Sequence, residues 1–87
     1  MNEYMYVFDS TVGQFKIEFN GFMWNLYVRD EWLYMSEDAE YLAKYAEIFY
    51  TKLGHIRIGE PDEIDVPQHL DGWVMRTAQG MEVNMYR

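Results

Sequence analysis

The chain has 87 residues, no cysteine, and 15 acidic side chains against 7 Lys and Arg, for a formal net charge of −8. That length makes one domain spanning 1–87, too small for a two-domain nucleotide-dependent enzyme, and the missing cysteines exclude disulfides and thiolate zinc sites. The charge argues against direct binding to nucleic acid or anionic lipid, which Lys and Arg recruit through counterion release.

The first third reads as an antiparallel β-meander. Tyr4, Tyr6 and Phe8 alternate with Met5 and Val7 in a strand over about 3–9, and Phe15, Ile17 and Phe19 alternate with Lys16 and Glu18 over 14–20. A four-residue loop at 10–13 sets Phe8 opposite Phe15 and Tyr6 opposite Ile17. Asn20-Gly21 then predicts a two-residue type I′ hairpin into a strand over 22–29, because both central residues of that turn need positive φ. Pairing outward from it puts Phe19 against Phe22, Ile17 against Trp24 and Phe15 against Leu26, so three strands share one apolar face. Asp30-Glu31 marks either a tight return into a fourth strand, 32–35, or a bulged continuation of the third.

Ser36 is the expected N-cap of a helix over 37–53, with Glu37 and Asp38 in its first turn. Ala39, Leu42, Ala43, Ala46, Phe49, Tyr50 and Leu53 recur on one face, and Lys52 and Gly54 supply the stop. A short strand at 55–58 leads into a long acidic loop, 59–72, which holds both prolines. The pattern closes with a β-hairpin, 73–78 and 81–86, in which Gly80 forms a bulge. The fold class expected is α+β: a meander of three or four strands, one helix packed on it, then a strand and a hairpin. Sixteen aromatic side chains supply much of the burial such a small core needs.

Catalytic signatures fail one at a time. Gly54 to Gly59 has the opening spacing of a P-loop, but Glu60-Pro61 stands where Lys and Ser or Thr would hold phosphate. No Gly-x-Ser-x-Gly or His-Glu-x-x-His occurs, so the expectation is a non-enzyme without cofactor. Met1-Asn2-Glu3 has no basic region, and no apolar run is long enough for a signal peptide or a membrane span; a cytoplasmic protein is expected.

Two features point to binding. The acids cluster around the helix start (Asp30, Glu31, Glu37, Asp38, Glu40, with Glu47 further on) and in the loop (Glu60, Asp62, Glu63, Asp65). Carboxylates spread over a surface can occupy a basic groove as phosphates do, so the partner expected is a protein with a basic surface, such as a nucleic-acid-binding enzyme. The second feature is aromatic: Tyr27, Trp32, Tyr34, Tyr41 and Tyr45 have no assigned core role. With Met5, Val7, Met23 and Ile48, such side chains could alternatively form a homodimer interface. A third reading makes Glu60, Asp62, Glu63, Asp65, His69 and Asp71 a weak site for Ca²⁺ or Mn²⁺, although their spacing is not that of an EF-hand. In size, charge and lack of catalytic motif the chain resembles the small acidic accessory and anti-defence inhibitors that phages encode, anti-CRISPR proteins among them, which implies that it inhibits or modulates its partner.

Overall fold

Period-two alternation between residues 4 and 36 builds the centre of the molecule. The computed structural model describes residues 4–53 and 64–77. Within them five strands, β1 (Tyr4–Ser10), β2 (Gly13–Phe19), β3 (Trp24–Val28), β4 (Glu31–Ser36) and β5 (Val74–Thr77), form one antiparallel sheet in the order β4-β3-β2-β1-β5. Helices α1 (Ala39–Lys44) and α2 (Ala46–Leu53) pack on one face, giving the expected α+β class. The predicted strand at 55–58, residues 59–63 of the acidic loop and the last strand of the hairpin, 81–86, lie outside the described residues. No helix among the described residues is long and apolar enough to cross a membrane.

The β1–β2 register is the predicted one, with Phe8 opposite Phe15 and Tyr6 opposite Ile17. The ladder runs on to Ser10 and Gly13, so only Thr11 and Val12 form the turn, and the Ser10 hydroxyl donates to the Gly13 carbonyl at 2.6 Å. The second hairpin corrects the expectation. Phe19 pairs with Trp24, Ile17 with Leu26 and Phe15 with Val28, which makes a four-residue loop of 20–23 and moves β3 by two residues. The Asn20 side chain causes this: its Oδ1 accepts from the backbone N–H groups of Phe22 (2.9 Å) and Met23 (2.8 Å), closing a local turn that competes with the type I′ form. Phe22 is left in the loop, 79% exposed. A shift of two preserves the side-chain parity, so Phe15, Ile17, Leu26 and Val28 still share the core face and are fully buried.

The type I′ dihedrals occur one connection later. Arg29 and Asp30 have φ of 51° and 66° and join Val28 to Glu31, so the tight return into a fourth strand is the correct alternative. That strand carries a bulge: Tyr27 faces Trp32 but Leu26 faces Tyr34, leaving Leu33 as the extra residue, buried in the core. β5 pairs with β1 rather than lying as a separate layer, setting Tyr6 opposite Met75.

The helical segment also departs from expectation in detail. Ser36 ends β4, and its hydroxyl accepts from the Asp38 N–H. Asp38 is the N-cap: it is extended, and its Oδ1 accepts from the Glu40 N–H at 3.0 Å. The predicted single helix is two segments meeting at Tyr45 (φ −112°, ψ 17°), although Phe49 N–H still donates to the Tyr45 carbonyl. No Gly or Pro marks this joint in the sequence. The alanines at 39, 43 and 46 bring the helical layer close to the sheet, and Leu42 and Tyr50 fill the space between.

Tyr6 lies on the helix-covered face beside Trp24, with ring centroids 5.8 Å apart. Its phenol is held above the ordinary tyrosine range by burial first and by the Glu40 carboxylate second. The folded chain therefore keeps this proton at a pH where the unfolded chain has lost it. Stability is unaffected well below the unfolded value of about 10 and falls as pH rises through it. Urea unfolding between neutral pH and the alkaline range should show that Tyr6→Phe removes part of the alkaline loss seen in the parent chain. An unchanged slope would refute this.

Candidate functional site

The predicted acids divide between internal bonds and open surface. Glu47 Oε2 accepts from the Ile64 N–H and Glu40 Oε2 from the Leu70 N–H, both at 3.4 Å, and Asp65 Oδ1 accepts from the Thr11 N–H at 3.2 Å. These three carboxylates tie the 64–70 segment to the helices and to the β1–β2 turn. Ile64, Val66 and Trp73 are buried there, so the described part of the predicted acidic loop is packed structure, ending in a 3₁₀ turn at Leu70–Gly72. Asp30 stands in its turn 3.9 Å from Lys16 Nζ. Glu31 begins β4 and is exposed, as are Glu37, Asp38, Glu40 and Asp71. Glu60, Asp62 and Glu63 lie outside the described residues, and among those described no group of three or more His, Asp or Glu is placed to hold a metal ion.

The predicted aromatics divide as well. Tyr27 and Trp32 lie on the sheet face away from the helices, where Lys16 Nζ sits 5.0 Å from the Tyr27 centroid and Trp32 Nε1 donates to Asn25 Oδ1. Tyr34, Tyr41 and Tyr45 meet on the helical side around Phe49. Tyr34 stacks on Phe49 at 4.4 Å and 17°, Tyr41 meets Tyr45 edge-on at 5.0 Å, and Tyr41 and Tyr45 both lie within 6.4 Å of Phe49. The spacing of four between Tyr41, Tyr45 and Phe49 stacks them on one helical flank. The bulge at Leu33 brings Tyr34 to them.

One place gathers members of both predicted sets. Asp38, Glu40, Tyr41 and Tyr45 line an open cleft of about 250 Å³ with Lys44 and His69. No family model, curated protein or solved structure matches the chain. The case for this cleft therefore rests on its geometry. Lys44 Nζ lies 5.4 Å from the Tyr45 centroid, and His69 Nδ1 lies 3.9 Å from Glu40 Oε1. Lys44 belongs to neither predicted set. Its position three residues after Tyr41 and four after Glu40 on a helix is the sequence signal that it shares this flank.

Proposed function

We propose that this chain is a non-enzymatic binding protein that docks on a basic surface of a protein partner and blocks or modulates it. The observation that supports this reading is the juxtaposition at the start of α1: exposed carboxylates of Glu37, Asp38 and Glu40 beside the exposed rings of Tyr34 and Tyr41. Carboxylates attract Arg and Lys over distance and select against acidic partners, while tyrosine rings give short-range contact area at low entropic cost. A basic groove that normally holds phosphates would accept this surface in their place, and its owner would lose access to nucleic acid. The absence of cysteine suits a reducing, cytoplasmic setting.

Affinity capture from host lysate, repeated with a charge-depleted variant, tests the reading. Asp38 also caps α1, so its charge is removed as Asp38→Asn, which keeps the capping oxygen, and is combined with Glu37→Lys. The variant should fold as the parent does, and the captured partner should bind at least about tenfold more weakly, with affinity falling steeply as salt rises. A partner held equally by both proteins and at high salt would sink the proposal.

A further inference from the structure

We infer that the cleft beside α1 receives a single arginine side chain of the basic partner; the inference rests on the binding reading above and names its central contact. The walls carry the two groups a guanidinium uses. Tyr41 and Tyr45 meet edge-on, their rings 61° apart, and both line the cleft with the carboxylates of Asp38 and Glu40. One Glu40 oxygen accepts from the Leu70 N–H at 3.4 Å, and His69 Nδ1 lies 3.9 Å from the other. A volume of about 250 Å³ falls below the roughly 300–1,000 Å³ of sites for drug-sized ligands and suits one side chain.

The chain's own Lys44 already places its ammonium 5.4 Å from the Tyr45 centroid. An arriving guanidinium has three advantages over that ammonium: it is more weakly hydrated, it stacks flat on an aromatic face, and its planar fork can meet a carboxylate with two hydrogen bonds. Lys44 is thus an internal competitor that arginine displaces, and the net charge of −8 draws a basic partner towards the cleft.

The test is an NMR titration of the full chain with Nα-acetyl-arginine amide, with its lysine and citrulline counterparts as comparisons. The arginine probe should shift amides at 38–45 and 69–70, bind at least about threefold more tightly than the lysine probe, and leave the neutral citrulline probe without effect. Lys44→Ala should tighten arginine binding. Lys52→Ala, which removes the same charge from the exposed end of α2, should not. Tyr41→Leu should weaken it about two- to fivefold. Equal binding of arginine and lysine, or equal gains from the two lysine substitutions, would overturn the inference and leave only diffuse charge attraction. If the probe does not enter the cleft but the partner complex still responds to salt and to the Glu37→Lys/Asp38→Asn change, the arginine inference falls and the binding reading stands. Loss of both responses removes both.

Discussion

Arg29→Ala should lower the stability of the fold by about 3 kcal/mol, mainly through the two charge-assisted hydrogen bonds it removes. Arg29 Nη1 donates to the Val12 carbonyl at 2.6 Å and to the Tyr50 hydroxyl at 3.1 Å, and its guanidinium lies 5.4 Å from the Tyr50 centroid. Tyr50 is 1% exposed, so the bond to its hydroxyl is made in the interior, where it is stronger than in water. Gly13→Ala should cost a similar amount for a different reason. Gly13 has a φ of +122°, and a Cβ there would stand 2.5 Å from Arg29 Cγ and 3.0 Å from Cδ. The two changes are coupled: with Arg29 cut back to alanine, the two closest contacts vanish and only that with its Cβ, at 3.9 Å, remains of the three nearest. In a double-mutant cycle by urea unfolding, the pair should cost at least about 1 kcal/mol less than the sum of the singles. Strict additivity would show that the arginine stem does not confine Gly13.

Trp73→Ala should cost about 3–5 kcal/mol, the range for truncating a buried large aromatic. Trp73 meets Phe15 edge-on at 6.2 Å and Phe8 at 6.3 Å, and its indole N–H donates to the Pro67 carbonyl at 3.0 Å. That bond folds the chain back on itself closely enough that a Cβ at Gly72 would come within 2.6 Å of the Pro67 ring. Trp73→Phe keeps most of the apolar contact and loses only the indole bond, so it should cost about 1–2 kcal/mol. Hydrogen exchange would separate the two roles: in Trp73→Phe, protection should fall over 64–73 while the centre of the sheet holds. A cost below about 1 kcal/mol for Trp73→Ala would mean that the segment is not anchored there.

What could be read from the chain was set by parity and periodicity. Alternation identifies Phe15, Ile17 and Leu26 as one buried face even though the turn at Asn20-Gly21 is not type I′, because the displacement is an even number of residues. The type I′ turn falls on Arg29-Asp30, where Asp30 tolerates positive φ but Arg29 has no intrinsic preference for it. Tertiary contacts of the Arg29 side chain with Val12 and Tyr50 support that conformation, and no local pattern reports them. The helix cap moves from Ser36 to Asp38 because Ser36 pairs with Trp24 at the end of β4. For the site, helical spacing brought Tyr41 and Tyr45 together as expected, whereas Tyr34 joined them through a bulge that alternation does not reveal. Composition makes Glu40, Glu47 and Asp65 surface charge, yet they bond to backbone N–H groups 17 to 54 residues away. Such pairings leave no trace in composition, because any residue type except proline could supply the N–H.

The four-residue connection between β2 and β3 bears on how this protein could change over generations. Since a displacement by two leaves every ring of β3 on its own side, shortening or lengthening residues 20–23 by a pair is nearly silent for the core, whereas a single inserted or deleted residue turns Leu26 and Val28 outward and Tyr27 inward. Insertions and deletions that survive there should therefore come in twos, and the tip that bears Phe22 is free to diverge in length without the rest of the molecule being rebuilt around it.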